Sequence, residues 1–267
     1  MFYRDSLAEM LAARDFERDD RVLVVCGGEL DKVTLAELGF TSVVISNLDE
    51  REGPAIAPFA WARQDAENLS YADGEFDVVM VHAGLHHCHS PHRALLEMVR
   101  VARKCVVVFE ARDSLMMRLA VRFGFTFDYE LEAVTDDNFE HGGVANGPVP
   151  NFVYRWTERE IEKTVASFDP GREHVFRYFY GLRVPIERLV NTRQTAFRLI
   201  ASVLTPALRL FTRLVPTQCN EFAFSIGKTG KLKPWMESEE RVSKEYAVRE
   251  GRMYVAQKEV GDRDSSS

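Results

Sequence analysis

Five of the chain's seven histidines fall in one stretch of eleven residues, "HAGLHHCHSPH", at positions 82, 86, 87, 89 and 92. An imidazole changes charge near neutral pH, so a histidine placed beside a reacting hydroxyl can take its proton. His86 and His87 are the candidates for that base. With Cys88 they would also count as metal ligands, but side chains on one short turn are expected to point apart. No second, spaced cluster completes a tetrahedral set, so no metal is expected.

A second chemical signal lies at "CGGEL", residues 26–30. Gly27 and Gly28 let a backbone come close to a ligand, and the N-terminus of a following helix offers unpaired N–H groups. A dinucleotide turn would read G-x-G-x-x-G, whereas here Glu29 and Leu30 follow the pair, and Glu29 would repel a pyrophosphate. The expected ligand therefore lacks phosphates. About twenty residues on, where a ribose is held in such units, "SNLDE" offers Asn47 or Asp49; a polar turn capping the next segment is the other use of these residues.

Such groups need a scaffold, and the hydrophobic pattern supplies one. Short apolar runs at 21–26, 42–46, just before Asp65, 76–82 and 104–110 alternate with helical patterns, which predicts a parallel sheet covered by helices. In "HSPHRALLEMVRVARK", Ser90 caps a helix, Pro91 suits its first turn, and Leu95, Met98, Val99 and Ala102 share a face. In "RWTEREIEKTVASF", Thr157 and Glu160 form a capping box and Trp156 and Ile161 stand at the staple positions. Further strands are expected at roughly 173–180 and 220–226. Residues 114–153 form a long insertion after the fifth strand, beginning with a helix at 114–123, and 184–216 form a second, helix-rich one. From Glu237 onward the chain is charged and is expected to be a surface helix that frays, giving a domain over 1–236 and a tail over 237–267.

Residues 63–104 complete a recognisable pattern. Asp65-Ala66, "LSYADGEFD", Leu85-His86-His87 and Val99-Arg100-Val101 agree in order and spacing with an acidic-plus-small pair, L-P-F-x-D-x-x-F-D, L-H-H and a closing R-V pair. Over residues 20–112 the sequence resembles the class I S-adenosylmethionine-dependent methyltransferases, in particular the type 11-like domains. The resemblance implies an α/β, Rossmann-like, seven-stranded, mostly parallel sheet with helices on both faces, an antiparallel last strand and helical insertions forming a lid. It implies S-adenosylmethionine as cofactor, with Cys26, Gly27 and Gly28 under its methionine part, Asn47 or Asp49 on the ribose, Asp65 and Ala66 flanking the adenine, and His82 and Ala83 near the methyl group. Three departures stand out. Val24 replaces an acidic residue of the first strand, Cys26 and Leu30 replace glycines, and Asn47 stands where an acid is usual.

On the acceptor side, Glu110, Arg112 and Asp113 follow the fifth strand at the edge where ligands bind, and serve either the acceptor or an ion pair. His141, Asn151, Tyr154, Arg155 and Trp156 lie near the second helix start; Trp156 is expected to pack and Arg155 either pairs with an anionic acceptor or is solvated. The insertion 184–216 mixes apolar residues with Arg188, Arg193, Arg198, Arg209 and Arg213, a composition open to peripheral membrane contact or to a buried lid.

Composition narrows the classes. The chain has 267 residues, 46% of them hydrophobic, and a net charge of −7, which disfavours broad nucleic-acid binding. Four cysteines without CxxC spacing suggest reduced thiols and a cytoplasmic protein, and the N-terminus shows no signal-peptide pattern. Arginines and Pro206 interrupt the most apolar stretch, 197–216, so no membrane span is expected. A nicotinamide oxidoreductase lacks its third turn glycine, and the N-P-P-Y motif of base methylators is absent. The reading is methylation of a small molecule, a sugar, lipid-like or secondary-metabolite acceptor, on oxygen; the alternative is a catalytically silent relative that binds a partner.

Overall fold

The computed structural model describes residues 2–183 and 195–250, giving only the backbone for Glu52, Pro54 and 195–204. The strands are β1 (Val22–Val25), β2 (Val43–Asn47), β3 (Ala60–Arg63), β4 (Phe76–His82), β5 (Ala102–Ala111), β6 (Arg172–Gly181) and β7 (Glu221–Leu232). They form one sheet in the order β3-β2-β1-β4-β5-β7-β6, with β7 antiparallel to both β5 and β6. This is the seven-stranded, mostly parallel sheet expected, with β6 and β7 at the anticipated places.

Alternation along the strands explains why both faces are covered. Leu23, Val25, Val79, Val81, Val106 and Val108 point into one core, and Val22, Val24, Val78, Met80, Val107 and Phe109 into the other. The first is closed by helices α3 (Pro91–Val101) and α6 (Glu158–Phe168), and the second by α1 (Phe2–Ala12) and α2 (Glu29–Glu37). Helix α1 had no counterpart in the sequence reading, although Tyr3, Leu7 and Met10 are spaced to bury one stripe.

Helix α3 starts as expected, with Ser90 Oγ accepting the Arg93 N–H, but stops at Val101. Ala102 opens β5 instead, opposite Phe76 of β4. Lys228 of β7 donates to the Val99 and Ala102 carbonyls, supplying partners that the helix end lacks. At α6, Thr157 Oγ1 accepts the Glu160 N–H and both staple residues, Trp156 and Ile161, are fully buried. The return half of the box is replaced, since the Glu160 carboxylate takes the Tyr154 hydroxyl and faces His92 Nε2 at 3.0 Å.

The insertion after β5 holds α4 (Leu115–Arg122) and α5 (Leu131–Asp136), and α7 (Thr195–Leu214) precedes β7. A hairpin of β8 (Met236–Ser238) and β9 (Arg241–Val242) begins the charged segment, and residues 244–250 are helical. Expectations for 184–194 and 251–267 lie outside the described residues. All four cysteines are free thiols, and among the described residues no helix is long and apolar enough to cross a membrane.

Candidate active site

The strand order reverses between β1 and β4, and open α/β sheets bind ligands beyond the carboxyl ends of the strands at such a point. Here the chain leaves β1 through Cys26, at φ 51°, and leaves β4 through Ala83, at φ 52°. The two turns touch: a Cβ on Gly84 would overlap that of Cys26, so only glycine fits between them. Around this junction lies a cavity of about 350 Å3, lined by Cys26, Asn47, Asp49, Asp65, Ala66 and Ala83 among others. These six residues, all singled out in the sequence, are thus brought to one space.

Gly27, Gly28 and His82 stand behind its wall. A Cβ on Gly27 would come within 2.7 Å of Val24 Cγ1 and 2.9 Å of Ile45 Cγ2, so this glycine keeps the turn pressed onto the sheet. Gly28 caps α2, its N–H donating to Asp31 Oδ2 at 2.9 Å. Asp31 also accepts the Tyr3 hydroxyl, and Tyr3 stacks on the His82 ring at 4.3 Å between centroids. The conformational freedom at this turn is used at Cys26 rather than at the glycines.

The polar groups of the cavity are tightly engaged. Asn47 Nδ2 donates to the Gly27 carbonyl, and its Oδ1 accepts the Asp49 N–H. Asp49 receives Arg51 Nε at 2.9 Å on each oxygen, which holds its carboxyl down at about 2. Arg51 reaches on to Asp137, just past the end of α5, at 2.7 Å and so ties the sheet edge to the insertion. Asp65 Oδ1 accepts the Glu67 N–H, and Glu67 holds the His89 and Ser90 amides. Ala133, Asp137 and the loop at Gly142, Gly143, Ala145 and Asn146 close the cavity from above. Sequence reasoning marked the insertion as a lid but named none of these residues; its only signal was the glycine-rich loop "HGGVANG".

At the other wall, the turn Leu85–His87 follows β4. Its two imidazoles converge rather than diverge, with ring centroids 4.6 Å apart. Glu110, at the end of β5, accepts the Leu85 N–H on one oxygen at 2.7 Å and meets His86 Nδ1 with the other at 2.6 Å. Glu130, at the start of α5, brings Oε2 to 3.4 Å from the Nε2 of both His86 and His87. Burial disfavours charge on His86, but Glu110 and Glu130 outweigh it and lift its titration to about 10. The same pairing holds Glu130 near 2, while burial and then the charge on His86 push His87 down. His87 faces the cavity just described. His86 lines a smaller one of about 240 Å3 with Val144, Phe152 and Tyr154.

The remaining sequence candidates are engaged elsewhere. Arg112 makes a bidentate pair with Glu158, and Asp113 pairs with Arg118. Arg155 pairs with Asp128 at 2.6 Å, and Trp156 packs in the core. His141 lies near Asp137, and Asn151 donates to Glu130 Oε2 at 3.1 Å. A wider cleft of about 900 Å3, lined by His92, Arg118, Tyr154 and Arg155 among others, lies away from the strand-order reversal and shares no residue with the 350 Å3 cavity.

This sheet order, with its ligand cavity at the reversal point, defines the class I methyltransferase fold. Residues 20–109 match the family of methyltransferase domains, and that match points to S-adenosylmethionine as the cofactor. Solved structures agree in fold. The YcgJ protein of Bacillus subtilis superposes with a TM-score of 0.53 at 12% identity, over 84% of this chain and 98% of that one. Magnesium protoporphyrin IX methyltransferase from Synechocystis, solved with S-adenosylhomocysteine, gives 0.51 at 14% identity over 85% and 82%. An Archaeoglobus fulgidus S-adenosylmethionine-dependent methyltransferase gives 0.50 at 12% over 84% and 94%. No curated protein matches the chain.

The cavity suits this cofactor. Asp49, Asp65, Glu67 and Asp137 outnumber the one arginine, Arg51, on its wall. An acidic lining favours a cationic sulfonium and opposes a phosphate.

Proposed function

We propose that the chain methylates an oxygen of a small-molecule acceptor that enters beside His86 and His87. The observation that carries this reading is the junction of two cavities at these histidines, one at the strand-order reversal and one lined by Phe152 and Tyr154. When bound, S-adenosylmethionine supplies an electrophilic methyl group. The protein's share is to align an acceptor oxygen with it and to keep water out, which is where such a displacement gains most of its rate. The lid residues from α5 to Asn146 exclude water, and His87, pushed toward its neutral form by burial and by the charge on His86, takes the hydroxyl proton. Phe152 and Val144 give the acceptor an apolar body to rest against.

Calorimetric titration tests the cofactor half. S-Adenosylmethionine and S-adenosylhomocysteine are expected to bind at micromolar concentration and NADH not at all. Asp65→Ala removes a carboxylate from the cavity and is expected to weaken both sulfur ligands by roughly 10- to 100-fold, the worth of one charged hydrogen bond. Absence of binding by the wild-type chain would overturn the reading in favour of a silent, partner-binding relative. One feature favours that alternative: the side chains of Asn47 and Asp49, either of which is expected to hold a ribose, are already engaged by Gly27 and Arg51.

Contact with a membrane surface is part of the same proposal, because a lipid-like acceptor would be met there. Leu115, Phe123, Phe211 and Leu214 are exposed on α4 and the end of α7, interspersed with Arg118, Arg122, Arg209 and Arg213. The Met116 N–H of α4 donates to Gln218, in the short turn that follows α7. Anionic vesicles are expected to sediment the protein and neutral ones to leave it in solution. Phe123→Ser with Leu214→Ser is expected to reduce the bound fraction severalfold; equal partition onto neutral vesicles would remove membrane contact from the proposal.

A further inference from the structure

We infer that His86, His87 and Glu130 form a binding site for a divalent transition-metal ion, of which zinc fits the donors best. The inference builds on the methyl-transfer reading, since the ion would lie where the acceptor oxygen arrives. The donor atoms of the three residues all lie within 4.8 Å of one another. Two of the spacings are 3.4 Å, from Glu130 Oε2 to each Nε2. Metal–ligand bonds of about 2.0–2.2 Å in a tetrahedral arrangement put neighbouring donors about 3.3–3.6 Å apart. Two of the three spacings thus match those around a tetrahedral ion, and the third lies within 4.8 Å. As hydrogen bonds the same contacts are poor, because both exceed the usual N···O range and both converge on one oxygen that already accepts from Asn151.

The surroundings are those of a metal-binding histidine. Glu110 Oε2 lies 2.6 Å from His86 Nδ1, and its other oxygen is fixed by the Leu85 amide. A carboxylate on Nδ1 keeps a proton there, and an ion binds at Nε2, on the side of Glu130 and His87 Nε2, by displacing the second proton. Asn151 holds the Glu130 carboxylate in a similar supporting role. With Glu110 and Glu130 both close by, the point attracts positive charge.

Three protein ligands, two imidazoles and a carboxylate, leave a tetrahedral ion one open position, the mark of a catalytic rather than a structural site. The two imidazole ligands line separate cavities, His87 the larger and His86 the smaller, from which an acceptor can approach. An acceptor hydroxyl bound there loses its proton to solvent more readily, because the ion stabilises the alkoxide. The substrate class is thus an alcohol, phenol or enol whose oxygen can ligate a metal.

The test reads metal binding directly. Metal-depleted full-length protein is titrated with zinc and, for its visible spectrum, with cobalt(II). One equivalent of each is expected to bind at micromolar or lower concentration, the cobalt giving the absorption of a four- or five-coordinate ion. The isosteric Glu130→Gln and the His86→Ala variant are expected to weaken binding at least tenfold. Glu110→Gln, which touches no metal, is expected to weaken it by about 10- to 100-fold through loss of imidazole positioning. A folded wild-type chain that takes up no cobalt, or variants that bind as the wild type does, would overturn the inference. Calorimetry with S-adenosylhomocysteine in parallel separates the two readings. Metal without cofactor leaves the ion site standing and defeats the methyl-transfer reading, and cofactor without metal does the reverse.

Discussion

Glu110→Ala is expected to destabilise the protein by about 3–5 kcal/mol, because it strips the counter-charge from a buried histidine and leaves an amide without its acceptor. Glu110 is buried, one oxygen taking the Leu85 N–H and the other facing His86 Nδ1. In the folded chain the Glu110 side chain is fully shielded from solvent. Denaturant unfolding gives the check: the midpoint should fall with an unchanged slope, and Glu110→Gln, which can still accept from Leu85, should lose about 1–3 kcal/mol. Methyl transfer should fall on the order of 100-fold in the alanine variant, since the turn carrying His86 and His87 loses its anchor and reacting groups tolerate little displacement. An alanine variant as stable as the wild type would mean that Glu110 does not hold the turn.

Trp156→Ala is expected to lose a similar amount, about 3–5 kcal/mol, through a different cause. The indole is fully buried and is among the largest such side chains of the molecule. It contacts His92, Tyr154 and Phe224 and staples the start of α6 against Ile161. Its backbone also fastens the end of the 114–153 insertion, donating to the Ala111 carbonyl and accepting the Asp113 amide. Removing the ring opens a cavity that these neighbours can fill only in part. In a domain of this size the melting temperature should drop by roughly 6–20 °C. Trp156→Phe should cost much less, because it keeps the ring and also removes an indole N–H that has no partner in the structure. Equal losses for the two substitutions would show that ring volume is not what the position requires.

The Gly27-Gly28 pair shows how one motif meets packing demands as well as those its spacing suggests. A double glycine after an apolar run predicted a close approach to a ligand. The pair is held by Val24 and Ile45 beneath it and by the cap on α2, while Cys26, the residue before it, turns into the cavity. Nothing in local spacing distinguishes a glycine that admits a ligand from one that admits a neighbouring strand. His82 is likewise covered by Tyr3, which comes from α1, far away in sequence.

The sequence by itself determined the order of the seven sheet strands, the caps at Ser90 and Thr157, the antiparallel closing strand and six residues that line the cavity at the strand-order reversal. Each of these depends on periodicity, on side-chain-to-backbone bonding within four residues, or on a motif whose spacing matches the fold. Only the tertiary structure decided that His86 and His87 converge, that Glu110 and Glu130 meet them from opposite sides, and that Arg51 links Asp49 to Asp137. These contacts join residues from β5, the β4 turn and a distant insertion. They exist because the parallel sheet places the ends of β4 and β5 side by side and the insertion folds back over them, so their geometry is set by strand pairing and packing rather than by neighbours along the chain.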